Sequence, residues 1–281
     1  MRTHRNSALA AVALLFIGSS AASAHTAYLL PQDFTPEGGT VTTDAAYAIQ
    51  FFTPAVPLGS RDFHFLAPDG VRGTFASVRI AQPSSALDLN MAGNGTYLLS
   101  TGEMLGPVTN MVGADGGWRP LGQGEAPPEG APTTTLQTVA VAETYVTRGR
   151  PTNEVLDDTS GHLTLRPVTH PNRISVAEGF SVRLLFDGAP FPNMPLVLYK
   201  AGEPETALDR AFVTDANGQA TLTLDQPGQY IVVIRHRGPA AAGSQAQIAS
   251  YTTSLTFEAF AVLPELPPEE EAPRERRRPR W

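Results

Sequence analysis

The sequence has 281 residues, with 20 Lys and Arg against 27 Asp and Glu, a formal net charge of −7, and no cysteine. Disulfides, thiolate metal sites and cysteine nucleophiles are therefore excluded. Basic residues are too sparse for a nucleic-acid-binding function, which requires clustered Lys and Arg to neutralise phosphates, and Lys200 is the single lysine.

Residues 1–24 have the pattern of an export signal. Two arginines precede an apolar segment over residues 8–17, and Ala22-Ser23-Ala24 is a small-x-small cleavage site. Cleavage after Ala24 would leave 18 basic and 27 acidic residues, a formal charge of −9. No later stretch approaches the ~18 apolar residues of a membrane helix. We therefore expect a periplasmic protein, or a secreted one, without a transmembrane segment after signal removal.

The same cleavage would make His25 the first residue of the mature chain. An amino-terminal histidine offers a metal ion two nitrogens, the imidazole Nδ1 and the α-amine. The pKa of an α-amine, near ~8, allows a metal to displace its proton at neutral pH. His25 is therefore the first candidate metal ligand.

The rest of the chain is typical of an all-β protein. Gly and Pro, 25 of each, separate short apolar runs that alternate or are rich in β-branched and aromatic residues. No amphipathic helix longer than a turn or two is found. In the first half, strands are predicted over Thr40 to Phe51, Arg61 to Leu66, Gly73 to Ile80, Gly95 to Thr101 and Leu136 to Thr147.

Two segments differ from this pattern. Residues of about 105–132 are rich in Gly and Pro and predict a long irregular loop, of the kind that is functional or mobile. Residues 265–281 are rich in Pro, Glu and Arg, cannot bury an apolar face, and predict a disordered tail. Between them, Gly149-Arg150-Pro151 indicates the approach to a second domain.

The second half predicts seven short strands, enough for one sandwich, with tight turns at Asp187-Gly188, Asp215 to Gly218 and Pro227-Gly228. We expect two immunoglobulin-like or transthyretin-like β-sandwich domains in tandem, residues 25–150 and 151–264. The seven strands are Leu163 to Leu165, Phe180 to Phe186, Leu196 to Tyr199, Phe212-Val213, Ala220 to Leu224, Tyr230 to Ile234 and Tyr251 to Val262.

Four segments resemble a family of exported bacterial proteins of undetermined function. They are His25-Thr26-Ala27-Tyr28-Leu29-Leu30-Pro31, Glu143-Thr144-Tyr145-Val146-Thr147, Leu165-Arg166-Pro167-Val168-Thr169-His170-Pro171-Asn172 and Val182-Arg183-Leu184-Leu185-Phe186-Asp187-Gly188. The resemblance implies an exported β-protein with a histidine directly after the signal, which His25 matches. Some members of that family are described as periplasmic components of nickel or cobalt uptake, often near outer-membrane receptors.

Three further side chains are candidate metal ligands. His170 precedes Pro171, which keeps it extended, so it could supply an imidazole across the domain junction or hydrogen-bond a backbone carbonyl. Glu143 could act as a carboxylate ligand or orient an imidazole, or it could lie on a solvated strand face or pair with an arginine. His64 lies opposite Phe63 and Phe65, so it could face outward and coordinate if the phenylalanines are core.

The sequence therefore predicts a non-enzymatic protein that holds a divalent transition metal ion, nickel, cobalt or copper, and delivers it to a transporter or outer-membrane receptor. Imidazole ligands suit these ions, and acidic charge attracts cations. Two alternatives stay open. One is a copper oxidoreductase that uses an amine-plus-imidazole brace and needs a second histidine near His25. The other is a metal-independent envelope binding or structural module that makes contact around Trp118, the aromatic side chain expected to be partly exposed.

Overall fold

The structure is a computed structural model that describes residues 25–268, apart from residues 115, 159 and 160. The predicted export signal and most of the predicted tail lie outside the described residues. Glycine and proline separate the strands as the sequence predicts, and the all-β class, with sheets packed face to face as β-sandwiches, is confirmed.

The described residues contain 21 strands and one short 3-10 helix, Glu154–Asp157. The strands are β1 (Thr26–Pro31), β2 (Thr40–Ala48), β3 (Val56–Pro57), β4 (His64–Leu66), β5 (Arg72–Gly73), β6 (Ser77–Ile80), β7 (Ser85–Asn90), β8 (Gly95–Ser100), β9 (Met104–Leu105), β10 (Thr109–Ala114), β11 (Gly117–Pro120), β12 (Thr133–Arg148), β13 (Leu163–Pro167), β14 (Ile174–Ser175), β15 (Phe180–Phe186), β16 (Ala189–Pro190), β17 (Pro195–Lys200), β18 (Ala211–Val213), β19 (Gln219–Leu222), β20 (Gly228–Pro239) and β21 (Ile248–Phe260).

Three sheets form the molecule. The first small sheet has the order β1-β2-β7-β6, with β3 on β2. The large sheet runs β18-β17-β20-β21-β12-β8-β4-β5 and also includes β9, β10, β11 and β14. The second small sheet has the order β13-β15-β16, with β19 on β15.

The two small sheets cover opposite faces of the large sheet. Along β20, Ile231 and Val233 pack with Tyr28 of β1, whereas Val232 and Ile234 belong to the core that includes Leu184 of β15. Because side chains alternate along a strand, this division makes β20 the middle layer of three. Burial on both faces explains why residues 230–234 are apolar without interruption.

The two predicted sandwiches share the large sheet. Strand β12, from the first half, pairs in parallel with β21, from the second half, over residues 136–144 and 248–256. The first sandwich packs β1, β2 and β7 on β8 and β12, and the second packs β13, β15 and β19 on β17, β20 and β21. Backbone hydrogen bonds therefore join the halves directly, which rigidly fixes the residues at their junction.

The predicted loop of residues 105–132 is partly a hairpin. Strands β10 and β11 pair with each other, and β10 also pairs with β12, so that its backbone groups are satisfied by the edge of the large sheet. The expectation of an irregular segment was therefore wrong for residues 109–120, apart from the turn that joins β10 and β11. Residues 121–132 contain no strand, in agreement with the expectation. Within the described part of the chain, no helix is long and apolar enough to cross a membrane.

Candidate functional site

His25 lies directly before β1, where Thr26 pairs with Ala48 of β2. Its imidazole Nδ1 is enclosed and has no hydrogen-bond partner. A buried nitrogen normally has a partner, because an unpaired polar atom is costly to remove from water. Nδ1 is also the ring atom that would chelate together with the α-amine.

A charged cluster adjoins the start of β1. The carboxylate of Glu205 accepts hydrogen bonds from the Thr26 hydroxyl and from the Arg235 guanidinium. Arg235 Nη2 also donates to Thr26 Oγ1 at 2.6 Å. The cluster joins the first residue of β1 to the second half of the chain, so its members are far apart in sequence.

The segment that carries Glu205 is fixed by backbone hydrogen bonds to residues 49–51. Phe51 N donates to Glu203 O, and Gly202 N donates to Phe51 O, both at 2.9 Å. Glu205 N donates to Ile49 O at 2.9 Å, one residue beyond the β1–β2 pairing. This places a carboxylate next to the residue that follows His25.

His170 is held in a structural network. Asn172 N donates to His170 Nδ1 at 3.2 Å, so Nδ1 is the acceptor nitrogen and Nε2 carries the proton of the neutral ring. Nε2 then donates to Thr152 O at 3.2 Å and lies 3.0 Å from Thr96 Oγ1. Burial lowers the pKa of His170. Both ring nitrogens are engaged, so the hydrogen-bonding alternative describes His170 and no lone pair is left for a metal ion.

His64 and Glu143 lie in one row across three strands. Ser100 of β8 pairs with His64 of β4 on one side and with Glu143 of β12 on the other. Ser100 Oγ donates to Glu143 Oε1 at 3.1 Å and accepts from Gly102 N at 3.0 Å. Directly opposed residues point to the same face of a sheet, so the three side chains form a continuous polar row.

The expected outward position of His64 was wrong. Its ring is only 4% exposed. Phe63 belongs to one core, which meets the condition for an outward His64, but the opposite face is covered too, because Leu66 packs on the second core there. His64 Nδ1 contacts Asp62 O at 2.8 Å. Since a carbonyl only accepts, Nδ1 must carry the proton.

Glu143 is not on a solvated face, and it forms no ion pair with Arg148 or Arg150 in the described structure. Burial raises its pKa to about 8, the hydrogen bond from Ser100 opposes that shift, and the negative charge of Asp158 adds to it. A carboxyl group in such surroundings is protonated at neutral pH and is a poor metal ligand.

The four predicted ligands do not converge. His25 and the His170 network lie at opposite ends of β1, a strand of about 20 Å, since Asn172 Nδ2 donates to Phe34 O beyond its last residue. Ser254 Oγ donates to Ala27 O, and Ala27 packs in the same core as Ala142, so β1 lies on the face of the large sheet to which Ala142 points. Glu143, the next residue along β12, points to the opposite face of that sheet. No group of three or more His, Asp or Glu that could hold a metal ion occurs among the described residues.

The copper-brace alternative lacks its second histidine in the described structure. His236 lies on the opposite face of β20 from the aromatic core at Tyr28, with its ring against Phe186 and Phe191. His162 pairs with Asp187 at 2.6 Å, and that hydrogen bond raises the pKa of His162. Neither ring lies beside His25.

Sequence reasoning did not find Glu205, Arg235 or Ser100. Glu205 contacts a residue 179 positions away, and Ser100 is an ordinary strand residue until its two neighbouring strands are known. Only the pairing of β4, β8 and β12 could have identified the polar row. Trp118 is 44% exposed on β11, as predicted.

Comparison with known proteins gives a family and two distant structural likenesses. The D0-D1 domain of Intimin is similar over 82% of this chain and 96% of its own, at 13% identity and a TM-score of 0.21. The D00-D0 domain of Intimin is similar over 83% and 99%, at 14% identity and a TM-score of 0.19. No curated protein matches at a significant level. A family model described as Domain of unknown function (DUF4198) matches residues 22–238, which is most of the sequence, and the chain belongs to that family.

Proposed function

We propose that this protein is exported to the periplasm and binds a divalent transition metal ion, nickel, cobalt or copper, through the amino-terminal His25 that cleavage would produce. It would hold the ion for uptake or deliver it to a transporter or outer-membrane receptor. The observation that carries the proposal is the enclosed Nδ1 of His25, which has no hydrogen-bond partner. With the α-amine, it would form a two-nitrogen chelate.

Glu205 is the candidate for a third donor. Its carboxylate already contacts Thr26, the next residue after His25, and it is only 17% exposed. Arg235 neutralises this carboxylate and would compete with a metal ion for it. A bound ion would therefore have to displace the guanidinium or share the carboxylate with it. His170 and Glu143 have no role in this site, and His64 lies on the far side of the large sheet.

The test begins with the mature terminus. Mass spectrometry of the exported protein should give a chain that starts at His25. Calorimetric titration of that chain with nickel, cobalt and copper should give a dissociation constant of about micromolar or below for at least one ion. A variant with one glycine before His25 keeps the imidazole but moves the α-amine, and it should bind far more weakly.

His25→Ala should also abolish tight binding, whereas His162→Gln, at a histidine whose ring pairs with Asp187, should leave it unchanged. Glu205→Gln should weaken binding if the carboxylate is a ligand. A different mature terminus, or equal affinities for the mature protein and His25→Ala, would contradict the proposal.

One observation favours the metal-independent alternative. Trp118 is exposed on a hairpin whose partner residue, Gly113, offers no side chain to cover it. An exposed tryptophan is a common anchor for partner binding. If Trp118→Ala removed binding to an envelope component while His25→Ala had no effect, this alternative would replace the metal-binding proposal.

A further inference from the structure

Two adjoining cavities lie where the halves of the chain meet. A polar cavity of about 310 Å³ is lined by Asp62, His64, Arg72, Gly102, Glu103 and Gly161. A second, mainly aliphatic cavity of about 390 Å³ has Leu105, Val108, Val139, Ala240 and Tyr251 in its wall, and Glu103 also lines it. Sites of this size at a junction between domains are typical of small-molecule binding.

His64 presents a free acceptor to the polar cavity. Its Nδ1 donates to Asp62 O, so Nε2 of the neutral ring keeps its lone pair. The described residues provide no hydrogen bond to Nε2. The ring is 4% exposed and is fixed between the backbone of Asp62 and the row with Ser100. This acceptor is therefore preorganised and lacks a donor.

Glu103 presents a carboxylate at the boundary between the cavities. Its Oε1 accepts from His162 N at 2.7 Å, which fixes the direction of the side chain. No Lys or Arg of the described residues pairs with it. The neighbouring Asp62 is already neutralised by Arg72. The His162 ring, whose pKa is raised by Asp187 and also by Glu103, pairs with Asp187. The carboxylate of Glu103 is therefore the acidic group of the polar cavity that lacks an ion-pair partner among the described residues.

These groups match the chemistry of an alkylammonium ion. An ammonium group has three N–H donors and no acceptor. The Glu103 carboxylate and His64 Nε2 can accept two of them, and the negative charge disfavours an anion. The carbon chain would then lie along the aliphatic cavity, where Leu105 is 64% exposed and would be covered by it.

We infer that this junction cleft is a binding site for a small primary amine with an apolar body, with the ammonium group on Glu103 and His64 and the carbon chain along Leu105 and Val108. The site is separate from His25 and does not depend on the proposed metal binding.

The experiment titrates the mature protein with n-hexylamine, using n-hexanol and hexanoate as neutral and anionic probes of the same length. Calorimetry should give binding of hexylamine at least about tenfold tighter than that of either other probe, because a hydrogen-bonded ion pair is lost in both. Equal binding of hexylamine and hexanol would overturn the inference.

Glu103→Gln is the matched variant, because its amide oxygen can still accept from His162 N while the charge is removed. It should weaken hexylamine binding about tenfold and leave hexanol binding unchanged. Leu105→Ala, at an exposed position, should weaken both probes. Glu129→Gln, an exposed carboxylate that lines neither cavity, is the control. Unchanged hexylamine affinity in a folded Glu103→Gln protein would overturn the inference, whatever the result of the metal titration.

Discussion

Ser100 Oγ donates a hydrogen bond to Glu143 Oε1, and this bond is the polar contact that the described structure gives to a carboxyl group of a residue that is only 6% exposed. Two strands that meet only in the folded state, β8 and β12, bring the pair together. Burial with a single hydroxyl donor cannot replace the hydration of a carboxylate, so the protonated form is favoured. This relationship gives the protein a stability that depends on pH.

The first prediction concerns Glu143→Gln. The pKa of Glu143 is raised from its ordinary 4.5 to about 8, so the unfolded state releases the proton at a lower pH than the folded state. Between about pH 5 and 8, the free energy of unfolding should therefore fall as pH rises, with a contribution of up to about 1.4 kcal/mol per pH unit from this group. Glu143→Gln should remove this contribution. Near pH 8 the variant should be more stable than the original protein by a few kcal/mol.

Urea unfolding at pH 5, 6, 7 and 8 would measure this difference. The two proteins should differ least at pH 5, just above the ordinary pKa of 4.5, and should diverge further as pH rises towards 8. Ser100→Ala removes the hydrogen bond that favours the charged form, so it should raise the folded-state pKa of Glu143 further and extend the pH-dependent loss of stability to higher pH. Parallel stability curves for the original protein and Glu143→Gln would show that the carboxyl group ionises normally in the fold.

The second prediction concerns His170. His170→Ala should lower the free energy of unfolding by about 1–3 kcal/mol, because it leaves Asn172 N–H without an acceptor in a buried site. Burial lowers the pKa of His170 from its ordinary 6.5. The contribution of this group to the free energy of unfolding is therefore fully present above pH 6.5 and is lost as pH falls from 6.5 through the lowered pKa. Part of this acid sensitivity should disappear in the variant.

Metal titration separates this structural role from a ligand role. His170→Ala should keep the nickel, cobalt and copper affinities of the mature protein, because the network lies at the opposite end of β1 from His25. Loss of metal affinity in a variant that remains folded would assign His170 to the metal site.

Local sequence patterns predicted much of the fold but little of the site. The strand Phe180–Phe186 and its turn at Asp187-Gly188 were predicted correctly, because alternation and positive-φ turn residues are local signals. Strand β7 was missed, since three of its six residues are polar. Its Ser85 and Asp88 find hydrogen-bond partners in Leu58 and Thr42, which are distant in sequence. The burial of His64 could not be predicted either, because it depends on a second layer supplied by distant residues.

The third prediction concerns Asn172, which joins three segments. Its Nδ2 donates to Phe34 O at 3.2 Å and to Tyr145 O at 3.1 Å, and its Oδ1 accepts from Thr147 Oγ1 at 2.7 Å. Asn172→Asp keeps the shape but replaces the donor by an acceptor that faces two carbonyl oxygens. It should destabilise the protein by about 3 kcal/mol or more near neutral pH.

Thermal and urea unfolding would test this value. Asn217→Asp is the isosteric control, because Asn217 lies exposed in a turn and should tolerate the change within about 0.5 kcal/mol. Equal effects at the two positions would show that the three hydrogen bonds of Asn172 do not hold the segments together.

The fourth prediction compares two glycines with similar positive φ angles. Gly218 has a φ of +71° and Gly188 has a φ of +76°, so alanine is strained at both positions by about 1 kcal/mol. A Cβ at Gly218 would lie 2.5 Å from Leu184 O and 2.8 Å from Phe191 N, whereas a Cβ at Gly188 would meet no atom within 4 Å. Gly218→Ala must therefore also displace the backbone hydrogen bond from Leu184 N to Gly218 O.

Urea unfolding should show Gly218→Ala to be less stable than Gly188→Ala by about 1–3 kcal/mol. The difference isolates the close approach of the Asp215 to Gly218 turn to β15, because the conformational strain is common to both variants. If the two variants lost the same stability, the turn would have room to move away from β15, and the packing of the second small sheet would not depend on a glycine at this position.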